Sequence, residues 1–181
     1  MPKKQAAYRD AQVTCIFGMN GTGKSTMARK IVEQIGGRTL VCTYAGMPKI
    51  WRDVPVLDAT KKQEWQDWKT GLRQVIVSRT DHPTKSTHNY IFEHIYRNFS
   101  NGTILFDDCR EYITDKISNH PYLKRILSSF RHKETDLFFV MHAPSDVPKQ
   151  VWMYNSTTFV GHTDQLINTN QIRISSAHRI Q

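Results

Sequence analysis

The most constraining feature of this 181-residue chain is a glycine-rich segment at residues 18–25, Gly-Met-Asn-Gly-Thr-Gly-Lys-Ser. It follows an apolar run at residues 13–17, which predicts a buried strand, and it opens a segment with the apolar spacing of a helix. A strand, a G-x-x-x-x-G-K-S loop and a helix in this order form a P-loop. Backbone N–H groups and the helix N-terminus of such a loop surround phosphate oxygens. The segment therefore predicts a nucleotide-binding site.

The residue types in the loop predict both the nucleotide and its metal ion. We expect Lys24 to reach the β- and γ-phosphates of ATP and the Ser25 hydroxyl to ligate Mg²⁺, so the predicted cofactors are ATP and Mg²⁺. An accidental glycine turn would not need the lysine, the hydroxyl and the flanking elements together. The residues expected to surround the phosphates are Gly18, Asn20, Gly21, Thr22, Gly23, Lys24, Ser25 and Thr26.

Strand-like and helix-like segments alternate along the rest of the chain. This alternation predicts an α/β fold, a mainly parallel sheet with helices on both faces. We expect a single P-loop ATPase domain over residues 1–162, followed by a polar tail or small hairpin at 163–181. The further strand patterns lie at residues 39–44, 74–77, 103–108, 137–141 and 157–160. The further helix patterns lie at residues 61–69, at 86–99 and from about 121 onward.

Polar side chains lie at the end of one predicted strand and directly after another. The apolar run before Asp107 is the kind of buried strand that carries a metal-organising carboxylate in P-loop proteins, so Asp107 is predicted to hold Mg²⁺ through water. Asp108 is predicted to polarise the attacking water, although a simple loop start or helix cap is the alternative for this pair. His142 follows another core strand and is predicted to sense the γ-phosphate.

A positive charge is also needed, because negative charge builds on the γ-phosphoryl oxygens during transfer. Arg131 is our first candidate, acting from a second subunit, and Arg125 and Arg110 are the others. Each of these arginines also suits a contact to DNA phosphate or a solvated surface.

Composition narrows the class of partner. With 25 Lys and Arg against 16 Asp and Glu, the formal net charge is +9, which favours a polyanion such as nucleic acid. Three cysteines without C-x-x-C spacing predict small core residues of a reducing compartment. Trp65 and Trp68 are predicted to pack in the core rather than to stack on bases. No signal peptide or spanning helix is visible, so we expect a soluble protein without direct membrane insertion.

Beyond the P-loop and the acid pair, the stretches at residues 130–133 (Phe-Arg-His-Lys) and 137–148 resemble the FtsK/HerA superfamily. The similarity is greatest to the small viral genome-packaging ATPases and to the zonula-occludens-toxin-like phage assembly ATPases, and it spans residues 11–162. It implies a RecA-like (ASCE) core, in which the strand before His142 lies between the P-loop strand and the strand before Asp107. It also implies a homohexameric ring with ATP between subunits and DNA in the centre.

The resemblance implies an ATP-hydrolysing DNA translocase of the viral genome-packaging kind. Double-stranded DNA is the favoured partner, with a viral capsid or membrane vertex protein as a further one, in the host cytoplasm or at the virion vertex. The chain departs from the family pattern twice. Asp108 stands where the family usually has glutamate, and His142 where it commonly has glutamine.

Other functions remain open at this point. The Gly18 to Thr26 segment also satisfies the glycine spacing of nucleotide and shikimate-type kinases, although no arginine-rich lid sequence is present. A GTPase ranks lower, because the chain lacks an Asn-Lys-x-Asp motif for reading the base. A P-loop protein that only scaffolds an assembly is the fourth possibility.

Overall fold

The computed structural model describes residues 10–44, 49–77, 87–113 and 117–162. The predicted polar tail at 163–181 lies outside the described residues.

The described strands form a six-stranded sheet in which every pair of neighbours is parallel. The order is β3-β2-β4-β5-β1-β6, so β5 lies between the P-loop strand β1 and the acid-bearing strand β4, as the resemblance implied. The strands are Val13–Phe17 (β1), Arg38–Tyr44 (β2), Gly71–Val77 (β3), Gly102–Phe106 (β4), Thr135–Met141 (β5) and Asn155–Val160 (β6).

The helices are Lys24–Ile35 (α1), Lys62–Asp67 (α2), Thr87–Asn98 (α3), Pro121–Ser129 (α4) and Lys149–Tyr154 (α5). Single 3-10 turns occur at Lys49–Trp51, Cys109–Glu111, Ile117–Asn119 and Pro144–Asp146. Helix α5 is absent from the sequence prediction. Strand β4 ends at Phe106 rather than at the second acid, so both aspartates lie in the turn beyond it.

The sheet is covered on both faces, which confirms the predicted layering. Successive residues of β5 alternate between two apolar clusters, with Leu137 and Phe139 on one side and Phe138 and Val140 on the other. Helix α1 covers the second side, and α3 and α4 contribute to the first. Because both faces are covered, every residue of β1 and β5 is buried, and both strands are mainly apolar instead of alternating regularly with polar residues.

The predicted core roles of the tryptophan pair and the cysteines are confirmed. Trp65 and Trp68 are buried and pack against Phe99, with the Arg38 guanidinium 4.7 Å from the Trp68 ring centroid. Cys15, Cys42 and Cys109 are buried free thiols. Among the described residues, no helix has both the length and the apolar character that a bilayer crossing requires.

Candidate active site

A pocket of about 300 Å³ opens at the carboxyl ends of the central strands β1, β4 and β5. This is the edge at which parallel α/β sheets bind ligands. The lining residues include most of the loop predicted to hold phosphate and all three polar residues predicted beyond β4 and β5. They are Asn20, Gly21, Gly23, Lys24, Ser25, Thr26, Tyr44, Lys49, Ile50, Asp107, Asp108, Val140 and His142.

Two glycines of the loop, Gly21 and Gly23, are required by backbone conformation rather than by space. Gly21 and Gly23 have φ angles of +79° and +81°, and a Cβ atom added to either would meet nothing within 4 Å. Residues with side chains rarely adopt these angles. From Gly23 the chain enters α1 directly, where the Met27 N–H donates to the Gly23 carbonyl at 2.8 Å. The first N–H groups of α1 therefore face the pocket without partners in the helix.

Lys24 lies in the first turn of α1, half-buried at the pocket wall. Its Nζ donates to the Met19 carbonyl at 2.9 Å, and the Thr22 hydroxyl donates to the same carbonyl at 2.8 Å. Burial lowers the pKa of Lys24, and the opposing charges of Asp108 and Asp107 partly offset that effect. A cationic group is thus held over the loop, facing two carboxylates.

The end of β6 supports the loop from outside the motif. The Met19 N–H donates to the His162 carbonyl at 2.9 Å, and the Gly161 N–H donates to the Phe17 carbonyl at 2.8 Å. These contacts extend the β1–β6 pairing by one step and fix the point where the loop leaves the sheet.

Asp107 is nearly fully buried, at 1% exposure, and both of its carboxylate oxygens are hydrogen bonded. The Ser25 hydroxyl donates to Oδ1 at 2.9 Å, and the Trp51 indole N–H donates to Oδ2 at 2.6 Å. Burial raises the pKa of Asp107, and the bonds from Trp51 and Ser25 act in the opposite direction. The predicted pair of metal-binding residues, Ser25 and Asp107, is therefore in direct contact across 82 positions of sequence.

Asp108 and His142 form a pair at the same pocket. Asp108 has a φ of 48°, in the left-handed region that residues other than glycine rarely adopt. Its Oδ1 lies 2.8 Å from His142 Nε2, and each of the two side chains is 24% exposed. The carboxylate predicted to act on water and the histidine predicted to sense phosphate are thus bound to each other.

None of the three arginine candidates lines the pocket, although Arg110 is exposed in the turn Cys109–Glu111 directly after the acid pair. Arg131 is exposed in the turn before β5, at the amino end of a seven-residue strand whose carboxyl end carries His142. At a rise of about 3.3 Å per residue, its backbone is roughly 20 Å from the pocket. Arg125 stacks on Tyr96 and Tyr122, on the α3–α4 surface. Arg131 can serve a nucleotide only in another subunit, which remains a prediction.

The segment at residues 49–53 belongs to the site, although no sequence pattern indicates it. Its Lys49 and Ile50 line the pocket, and its Trp51 is fully buried beneath Asp107. Arg29 of α1 holds the segment in place by donating two hydrogen bonds to the Asp53 carboxylate, at 2.7 and 2.6 Å. The segment has no helix or strand periodicity, so only the presence of a tryptophan in a polar, irregular stretch could have drawn attention to it.

The donor set fits a magnesium-bound triphosphate. The loop, the start of α1 and Lys24 offer positive partners for phosphate oxygens. Opposite them, a serine hydroxyl and a buried carboxylate offer the oxygen ligands that Mg²⁺ prefers. Anion-binding and cation-binding groups therefore share one pocket.

No family model matches the chain, and no curated protein sequence matches it. The fold of the chain does match solved structures. The genome packaging NTPase B204 from Sulfolobus turreted icosahedral virus 2, in complex with ATP-gammaS, superposes with a TM-score of 0.64 at 11% identity, covering 91% of this chain and 81% of that one. The DNA-packaging ATPase B204 from Sulfolobus turreted icosahedral virus gives 0.59 at 11% identity, covering 87% and 78%.

The N-terminal domain of zonular occludens toxin from Neisseria meningitidis gives a TM-score of 0.50 at 14% identity, covering 86% of this chain and 79% of that one. At such identities the likeness concerns the fold. The two groups of proteins that the sequence resembles thus both reappear among its structural neighbours. Together with the parallel strand order and the P-loop between β1 and α1, they identify the chain as a protein with the RecA-like P-loop NTPase fold.

Proposed function

We propose that this chain is an ATP hydrolase. The observation that carries the proposal is the 2.9 Å hydrogen bond between Ser25 of the P-loop and Asp107 beyond β4, with the Asp108–His142 pair beside it. In P-loop NTPases a hydroxyl and a carboxylate in this relation hold the metal of a bound nucleotide. When bound between Ser25 and Asp107, Mg²⁺ would neutralise charge on the β- and γ-phosphates.

Different residues of the chain then bind the phosphates, orient the water and hold the catalytic carboxylate. The glycine loop and Lys24 bind the phosphates and place the terminal one in the pocket. Asp108 Oδ1 is engaged by His142, so its other oxygen, Oδ2, is the candidate to orient a water molecule and accept its proton. His142 holds the carboxylate in place through its contact with Oδ1. A water positioned in this way favours hydrolysis over transfer to a bound acceptor.

We further propose that hydrolysis is coupled to movement of double-stranded DNA, as in a viral genome-packaging motor. The net charge of +9 supports a polyanionic partner. Exposed Lys124, Arg125 and Arg131 on and after α4 offer phosphate contacts. The structural neighbours described as packaging enzymes share the fold of this chain, and this supports a motor of the packaging kind. A homohexameric ring would let Arg131 of one subunit approach the nucleotide of the next, at a capsid vertex or in the host cytoplasm.

Linear double-stranded DNA is expected to stimulate ATP hydrolysis. The DNA concentration for half-maximal stimulation should rise by at least about tenfold between roughly 50 and 200 mM salt, because phosphate contacts release counterions. The measurement is phosphate release in a DNA titration at each salt concentration, and heparin serves as the control polyanion.

If the rate of ATP hydrolysis does not change with DNA at any salt concentration, the translocase proposal is contradicted, while the proposed ATP hydrolase activity stands. Consumption of ATP without release of free phosphate, together with a phosphorylated small molecule, would instead establish the kinase alternative. Tight nucleotide binding with no turnover would favour a scaffold.

A further inference from the structure

Trp51 is an unusual component of a phosphate pocket. It lies in the single turn Lys49–Trp51, is fully buried, and sends its indole N–H to Asp107 Oδ2 at 2.6 Å across 56 positions of sequence. A hydrogen bond from N–H to an ionised carboxylate at this short distance is of the stronger, charge-assisted kind. The indole therefore contacts the residue expected to organise the metal ion, from the side opposite Ser25.

The indole is held in place independently of any ligand. The Gln74 side-chain amide of β3 donates to the Trp51 carbonyl at 3.0 Å, and the Val54 N–H donates to the same oxygen at 3.0 Å. The Arg29 guanidinium lies 5.8 Å from the Trp51 ring centroid while it binds Asp53. The Trp51 backbone is thus tied to the sheet edge, and its ring is covered from α1.

The two groups that donate hydrogen bonds to Asp107 differ in whether they can also offer a lone pair to a metal ion. The Ser25 hydroxyl is both donor and acceptor, so it can turn its hydrogen away from Oδ1 and offer a lone pair to a cation. The indole N–H is a donor only and has no lone pair to offer. Oδ2 therefore stays occupied, and Oδ1 is the oxygen that remains available on the pocket side. The carboxylate plane is set before a metal ion arrives.

We propose that Trp51 is a positioning residue for the metal site: it fixes Asp107 so that one chosen oxygen, Oδ1, faces Ser25 and the incoming Mg²⁺. The inference rests on the proposed ATP hydrolase function. A side chain that hydrogen bonds to a metal ligand and orients it commonly has a large effect on metal affinity, although it does not touch the metal ion.

The test compares Trp51→Phe with the wild type by titrating Mn²⁺, followed by its electron paramagnetic resonance signal, in the presence of ATPγS. We expect the variant to bind Mn²⁺ about 10- to 100-fold more weakly, the range seen when such outer partners are removed. Affinity for ATPγS measured in EDTA should be unchanged, because the P-loop contacts do not involve Trp51. A merely structural defect would weaken both.

Trp65→Phe is the matched control, because Trp65 is also buried and donates its N–H to a backbone carbonyl, that of Ala59, at 2.9 Å. It should leave Mn²⁺ affinity unchanged. If Trp51→Phe fails to fold, 3-benzothienylalanine at position 51 keeps the bicyclic shape and replaces the N–H by sulfur. If a folded Trp51 variant binds Mn²⁺ with wild-type affinity, the role of Trp51 is overturned, while the proposed ATP hydrolase function stands. A wild-type protein whose ATPγS binding ignores divalent cations would overturn the proposed function as well.

Discussion

Lys24→Ala is expected to lower the rate of ATP hydrolysis by about 100- to 1,000-fold, the loss that follows removal of one preorganised donor to a developing charge. Lys24 directly follows the last glycine of the loop, and its Nζ lies 2.9 Å from the Met19 carbonyl. Alanine leaves the helix intact, because it is the best helix former. The measurement is steady-state phosphate release at saturating ATP, with the folded state checked by thermal unfolding.

Lys30→Ala is the control for this variant. Lys30 is also on α1 but is exposed and away from the pocket residues, so the same loss of charge should leave the rate unchanged. Hydrolysis at the wild-type rate by Lys24→Ala would mean that ATP is cut at a different site.

Asp108→Asn is expected to keep ATP binding and lose turnover. Removal of a general base costs about 100- to 10,000-fold. Nucleotide affinity should persist, because Lys24, the glycine loop and Asp107 are untouched. Asparagine is the suitable replacement for two reasons. It tolerates the left-handed φ of 48° at this position, and its amide can still hydrogen bond to His142.

The measurement pairs single-turnover hydrolysis with nucleotide affinity on the same preparation. Asp67→Asn, at the exposed carboxyl end of α2, removes an equal charge far from the pocket and should behave as the wild type. If Asp108→Asn hydrolyses ATP normally, the water is activated by another group, and the assignment of Asp108 is wrong. If it loses affinity and turnover together, its role is in binding.

The sequence predicts the parts of this site that are local in the chain. The loop at residues 18–25, the strand before it and the helix after it are contiguous, so one stretch of sequence determines their geometry. The acids after β4 and the histidine after β5 follow apolar runs, and parallel strands bring such ends to one edge. The strand order came from the family resemblance. It could not come from residue patterns, because periodicity does not say which strands are neighbours.

The contacts that the sequence did not predict are those between distant, unpatterned positions. Nothing in the chain before folding links Trp51 to Asp107 or Asp108 to His142, which are 56 and 34 positions apart. The stretch around Trp51 lacks both the helix and the strand period, so it is treated as a loop. Its burial depends on Arg29 and Gln74, which belong to two different elements. Tertiary packing, rather than local preference, makes that segment part of the pocket.

The most direct test is a crystal structure with Mg²⁺ and a non-hydrolysable ATP analogue. We expect the triphosphate in the turn at residues 18–25, with Lys24 on its terminal phosphates. We expect the metal ion between Ser25 and the Asp107 carboxylate, and Asp108 facing the γ-phosphate. A triphosphate bound elsewhere, or a metal ion remote from both aspartates, would contradict this expectation.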